Sequence, residues 1–410
     1  MGEVTDPDDP PSVPFGRLGA LLLNAGLSVT EVRETLEAVQ ARVEPEPRWV
    51  FSVLPQIVIA SSRATERSYV TAVEGTELSF GQARDACRLA ALTAAGTVGV
   101  ADLSARIREI EARPRTFRGW WTAAGGALIS VGLTVVFAAP WWAVAIPGLV
   151  GALVGAATYL MGKRRGAAAV APFIVAVIST LLVGWAAVGL DLGVVPLIAV
   201  CAPIAILVPG ATITNALLEL TATDILTGSA RLMFGIVVLV LMAFGVQTAA
   251  ALLPPDIAAS AAATSGGFWQ AVPPPWTAWL GVVSLALGVG AAFGSDLRLA
   301  LFSAAVMLAA YAVLTATTSW VGGPMAAGLT AAGVFVGARL IELVPGAPPA
   351  QITFQPAFLL LVPGTVGLVA LAAEDPTGLS TAVSTFLSLC IGIKIGALLT
   401  PGHTRRNPTT

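Results

Sequence analysis

Histidine occurs once in this chain, at His403 near the C-terminus. A histidine-based catalytic triad or dyad and a two-histidine metal site are therefore excluded, and Ser61, Ser62 and Cys87 have no imidazole to activate them. Cysteine is nearly as scarce. Cys87, Cys201 and Cys390 are an odd, unpatterned set with two members inside apolar runs, which argues against a disulfide framework and fits a reducing compartment. Lysine occurs twice, at Lys163 and Lys394, and no basic patch points to nucleic acid. No G-x-x-x-x-G-K-[ST] loop is present, so an ATP-driven pump is not expected. Charge of either sign is thin: 11% of 410 residues, against roughly 25% in soluble domains. The chain reads as neither an enzyme nor the holder of a cofactor or metal.

What is abundant is apolar sequence, 56% of the chain with a mean hydropathy of +0.83. The charges crowd into the first 118 residues, which divides the chain into a polar N-terminal part and a polytopic membrane part. Residues 1–14 are rich in Pro and Asp and read as a disordered tail with no cleavable signal peptide. Residues 15–115 read as a small cytoplasmic α/β domain. Its helices are Phe15 to Asn24 closed by Gly26, one capped by Ser28, Phe80 to Ala94 and Val100 to Arg113. Its strands are Trp49 to Leu54, Gln56 to Ala60 and Tyr69 to Val73.

Ten segments beyond it are long enough to cross a hydrocarbon core of roughly 30 Å as helices. They fall at about 119–139, 141–161, 167–188, 194–220, 231–253, 277–294, 297–318, 323–343, 351–373 and 378–400. Alternate connections carry Lys163-Arg164-Arg165, Arg231, Arg298, Arg339 and Arg405-Arg406. The opposite ones carry Asp191, Asp256, Glu374 and Asp375 without Lys or Arg. The positive-inside rule then places both termini in the cytoplasm and the chain in the cytoplasmic (inner) membrane.

One stretch organises these spans. Leu207-Val208-Pro209-Gly210 must break its helix, because Pro cannot donate to the ladder and Gly frees the backbone. The same four residues return 154 positions later as Leu361-Val362-Pro363-Gly364. That offset lays five spans on five, and an odd number per repeat inverts the second half. The reading is a 5+5 inverted repeat: residues 116–253, an extracytoplasmic linker at 254–276, residues 277–400, and a cytoplasmic tail at 401–410. Two broken helices in matching places point to a transporter's binding site.

The helix restarting at Gly210 should present free N–H groups of Ala211, Thr212 and Ile213 to a carboxylate. Thr212, Thr214 and Asn215 could hold a hydroxyl or an ammonium, and Thr365 repeats the arrangement after Gly364. The bland reading of these side chains is hydrogen bonding between helices. Glu219 and Asp224 follow at the cytoplasmic end. Glu219 reads either as a proton-coupling acid or as the partner of Arg231, and Asp224 as a coupling acid, a loop acid or a helix cap. Lys394 reads as a counter-charge or as a lysine snorkelling to the interface. The predicted partners are a small carboxylate-bearing solute, coupling protons and the lipid bilayer; a homo-oligomer is compatible with the sequence.

The segment Leu207-Val-Pro-Gly-Ala-Thr-Ile-Thr-Asn-Ala-Leu-Leu-Glu219, followed by Thr227-Gly-Ser-Ala-Arg231-Leu, resembles the core of the threonine/serine exporter family. Leu21-Leu-Leu-Asn-Ala-Gly-Leu-Ser28 and Leu361-Val-Pro-Gly-Thr365 extend the likeness across most of the chain. Glu219 keeps the charge of an acid common in that core but changes its reach. The resemblance implies a ten-span secondary exporter of threonine and serine, driven by the proton motive force. The alternatives are export of a dicarboxylate such as succinate, as in two-chain members of the family, and a membrane-anchored enzyme or regulator working through its N-terminal domain.

Overall fold

The computed structural model describes residues 12–43, 49–63, 67–73, 78–113, 119–161, 170–192, 195–253, 267–342, 357, 360–361 and 364–400. Pro363, Lys163-Arg164-Arg165, Asp256, His403 and Arg405-Arg406 lie outside these residues, as do parts of the ninth expected span, Val362 among them.

The polar domain begins with α1 (Ser12–Asn24) and α2 (Val29–Val43). Gly26, at φ +88°, makes the left-handed turn between them. Ser28 and Glu31 form a reciprocal cap on α2: the Glu31 N–H donates to Ser28 Oγ and the Ser28 N–H to Glu31 Oε2. Three antiparallel strands follow in the order β1 (Trp49–Leu54), β2 (Ile57–Ser62) and β3 (Ser68–Ala72). Alternation along β2 buries Val58, Ala60 and Ser62 and leaves the intervening residues half-exposed. The helix α3 (Phe80–Ala94) carries a full capping box of Ser79 and Gln82, and α4 (Val100–Ala112) completes the domain. Phe15, Leu18, Leu22, Leu36, Val58 and Leu103 close one core. The expected helices and three-stranded sheet are present, with three differences: α1 begins at Ser12, inside the tail expected to be disordered, β2 starts one residue later and extends to Ser62, and β3 lies one residue earlier.

Among the described residues seven further helices are long and apolar enough to cross a membrane. They are α5 (Gly119–Val136), α6 (Trp141–Met161), α7 (Ala171–Gly189), α10 (Ile225–Ala250), α13 (Leu297–Val321), α14 (Gly323–Glu342) and α16 (Pro376–Leu399). Between them lie α8 (Leu197–Cys201), a single 3₁₀ turn (Ala205–Leu207), α9 (Gly210–Thr221), the one-turn α11 (Gly267–Gln270), α12 (Thr277–Phe293) and α15 (Gly364–Ala372). The fifth expected span starts six residues early, at Ile225, since only Ala222, Thr223 and Asp224 are needed to turn out of α9. Arg231 thus lies inside a helix and not in a connection.

Small residues set the packing, as expected where lipid tails remove any hydrophobic drive between helices. A Cβ added to Gly132 on α5 would lie 2.6 Å from the Leu285 amide nitrogen and 2.7 Å from the Gly281 carbonyl oxygen on α12. One added to Gly392 on α16 would lie 2.0 Å from the Gly328 carbonyl oxygen on α14. Neither neighbour is a side chain that can swing away. Gly132→Val or Gly392→Val should therefore cost about 1–3 kcal/mol through overpacking and lower the thermal midpoint of the detergent-solubilised protein. Gly333→Val, where the added Cβ meets nothing within 4 Å, should leave that midpoint in place.

Candidate functional site

The break is longer than Pro209 and Gly210 alone would make it. The incoming helix stops at Cys201, because Pro203 cannot donate back to the ladder. A 3₁₀ turn carries the chain to an extended Val208, and α9 then starts at Gly210. The Gly210 N–H donates to the Val208 carbonyl (2.7 Å) and the Ile213 N–H to the Pro209 carbonyl (3.0 Å). Ile213 therefore drops out of the predicted set of free donors. No side chain caps this start, and no acceptor among the described residues takes the amides of Ala211 and Thr212. Those two N–H groups stand at the positive end of a twelve-residue helix.

This span touches each apolar cluster of the membrane part. Cys201, Ile204, Val208 and Ile213 pack with α6, α7 and α10. Ala202 and Ala205 pack with the α5–α12 centre, and Leu218 packs with α14 and α16. The described residues of the span expected to carry the second break do the same: Leu368 joins the first cluster, Ala357 and Leu360 the second, Leu361 the third. Gly364 and Thr365 open α15.

The predicted side chains separate into two groups. Thr212 is half-buried beside the free amides, whereas the buried Thr214 hydroxyl donates to the Gly210 carbonyl one turn back at 2.8 Å. The others face the polar domain. Asn215 Nδ2 donates to the Gly26 carbonyl at 2.7 Å. Glu219, fully buried, accepts the Val29 N–H on Oε1 at 3.0 Å and lies 3.5 Å from Arg231 Nε. Its Oε2 has no hydrogen-bond partner among the described residues. Asp224 pairs with Arg33 at 3.1 Å and accepts from the Thr30 hydroxyl. Lys394 is half-buried on α16, and no acid among the described side chains pairs with it.

Sequence reading missed the other half of this contact. Gly26 and Val29 meet α9, and Thr30 and Arg33 meet Asp224 just beyond it, across some 190 positions, and no local spacing encodes that. The available signal was the Gly26-Leu27-Ser28 turn, which leaves a helix-end carbonyl and a helix-start amide looking for partners. Gly228 was also overlooked. A Cβ there would sit 2.8 Å from the Ala216 carbonyl oxygen, so it lets α10 close on α9 and brings Arg231 to Glu219.

The polar domain holds the membrane part at a second place. Phe80 stacks on Phe293 (5.4 Å between ring centres), the Gly81 N–H donates to the Gly294 carbonyl, and Arg84 pairs with Asp296 at 2.6 Å. Burial works against the Arg84 charge, but Asp296 and Asp85 outweigh it and hold the guanidinium pKa above its ordinary value. Leu299 of α13 is buried in the domain's own core. At the opposite end of the bundle, Val135, Val136, Pro273, Pro274 and Tyr311 line an apolar cavity of about 460 Å³ that includes none of the predicted site residues.

A bundle of apolar helices with one span broken in its interior and a polar domain seated at one end defines a multi-pass membrane protein. Residues 15–253, more than half of the chain, match the family described as "Putative threonine/serine exporter", and the chain belongs to that family. Nothing matches among the curated proteins or the solved structures.

Glu219→Ala would strip the acceptor from the Val29 amide and leave Arg231, which is 16% exposed, without its counter-charge. We expect a loss of about 3 kcal/mol, read as a lower thermal midpoint in detergent. Glu219→Gln, which keeps an oxygen for Val29, should lose less.

Proposed function

We propose that this protein is a ten-span secondary transporter that exports threonine and serine across the cytoplasmic membrane, driven by the proton motive force, with its two broken helices as site and gate. The observation that carries the reading is the pair of uncapped amides at Ala211 and Thr212, inside a span that touches every apolar cluster of the membrane part. A carboxylate fits the two N–H groups, and Thr212 stands ready for the hydroxyl or ammonium of a hydroxy amino acid.

The inverted repeat gains support from the neighbours each helix keeps. With a shift of five spans, α5–α6 corresponds to α12–α13, α7–α10 to α14–α16, α9–α10 to α15–α16 and α10–α15 to α16–α9, and all of these pairs are in contact. Ile206 and Leu360, 154 positions apart, pack on the same central cluster. The family match ends at Leu253, close to the boundary between the proposed halves. The orientation rests on charge. Arg231, Arg298 and Arg339 lie at the end of the bundle that carries the polar domain, and Asp191, Glu374 and Asp375 at other helix ends; the positive-inside rule makes the polar-domain end cytoplasmic. Protons are the proposed coupling ion, with Glu219 and Lys394 as candidate ionisable groups to carry the coupling.

Efflux of labelled threonine, serine and succinate from proteoliposomes, with and without a proton gradient, tests this. Wild type should export threonine or serine with gradient dependence. Gly210→Val, which adds a branched side chain next to the free amides at the start of α9, should lower that flux at least tenfold in protein that still elutes as a folded species. Export of succinate alone would reassign the substrate to a dicarboxylate. No flux of any of the three would overturn the exporter reading.

A further inference from the structure

The polar domain is bonded to both proposed halves of the membrane part, at the same end. Its α2 terminus holds the first half through Asn215, Glu219 and Asp224. Its α3 terminus holds the second half through Phe293, Gly294, Asp296 and Leu299. A third link comes from α14, since Arg339 acts on Glu34 of α2. Burial first and Glu31 second raise the Glu34 carboxyl above its usual range, and Arg339 pulls it back. Alternating access moves one half against the other, so a rigid domain tied to both must release one of its holds in each cycle.

The two holds differ in kind. At the α3 end an aromatic pair stacks and Leu299 is incorporated in the domain's core, so separation there would expose buried apolar surface. At the α2 end the contacts are polar. The Arg33–Asp224 pair is part-exposed, 36% and 21%, and such pairs contribute little net stability. Glu219 supplies the second observation. The carboxylate is buried, yet only Oε1 is engaged, shared between the Val29 N–H and Arg231, while Oε2 faces no donor among the described residues. A buried polar atom without a partner weakens the docked state that buries it. Undocking α2 would open Glu219 to water and leave the Arg231 pair intact.

We infer that the N-terminal domain is the cytoplasmic gate of the transporter: it stays anchored at α12–α13 and must undock its α2 terminus from α9 during every transport cycle. This rests on the exporter reading above. It assigns Asn215, Glu219 and Asp224 to the gate's latch, and leaves Gly210, Ala211 and Thr212 to the solute.

The test uses the full-length protein carrying Thr30→Cys and Asp224→Cys, joined by a short reducible bis-methanethiosulfonate linker in proteoliposomes. A monofunctional methanethiosulfonate on the same variant is the control. Linking should lower threonine or serine efflux at least tenfold, reductant should restore it, and the monofunctional reagent should leave it near the unlinked level. Full efflux from protein shown by mass to be linked would overturn the gate. Amide exchange of the wild-type protein decides independently of the variant's behaviour. Addition of threonine under a proton gradient should speed exchange over residues 26–33 and leave residues 79–84 protected, and equal protection of both segments in both states would refute the gate. Absence of flux from wild type would strike the exporter reading instead, so the two failures are distinguishable.

Discussion

A helix that ends inside an apolar bundle leaves peptide groups that lipid cannot satisfy, and most of this structure follows from where those groups find partners. Pro203 stops α8, Pro209 and Gly210 allow α9 to restart, and the chain between them buries Ala202, Ile204, Ala205 and Val208 in the bundle. Part of the need is met locally: a 3₁₀ turn, the Gly210 N–H on the Val208 carbonyl, the Ile213 N–H on the Pro209 carbonyl, and the Thr214 hydroxyl on the Gly210 carbonyl. The amides of Ala211 and Thr212 are what remains. Their position at a helix start makes the unmet need a polar site in an otherwise apolar bundle.

The far end of the same helix meets the complementary problem. Ala222 to Asp224 turn the chain directly into α10, and Gly228 permits that helix to pack back against α9. This brings Arg231 to Glu219 in a setting poor in water, where neither charge is tolerable alone. The first turn of α2 completes the pair by donating the Val29 N–H, one of the amides every helix leaves unpaired at its start. One twelve-residue helix thus offers unpaired donors at its beginning and takes up another helix's donor at its end.

The polar domain, the broken span and the charge asymmetry were legible in the sequence because each rests on a local pattern. Periodicity found α1 to α4, Pro-Gly found the break, and composition separated the polar part from the membrane part. What could not be read was pairing at long range. Asn215 looked like a solute ligand because it follows a break, and only the three-dimensional contact with Gly26 shows another use for its amide. From the sequence Glu219 reads either as a coupling acid or as the partner of Arg231, and the geometry supplies that contact together with one to α2. Pro203 was passed over beside the more conspicuous Pro209-Gly210, although a proline six residues upstream suffices to end the incoming helix early.

Placing Asn215 and Glu219 at the domain contact changes how the family's core sequence is understood. The run from Gly210 to Glu219 is one helix whose two ends face different partners, so a single segment couples the proposed solute site to the proposed gate. A shift of α9 at its start, where a solute carboxylate would enter, is transmitted along about 15 Å of helix to the carboxylate that holds α2. The docked Glu219 leaves one oxygen unsatisfied, which weakens the docked state at that far end. An extra hydrogen-bond donor on Oε2 would hold the domain more tightly and work against its release. The incomplete bonding of Glu219 is therefore what a contact that must open and close requires.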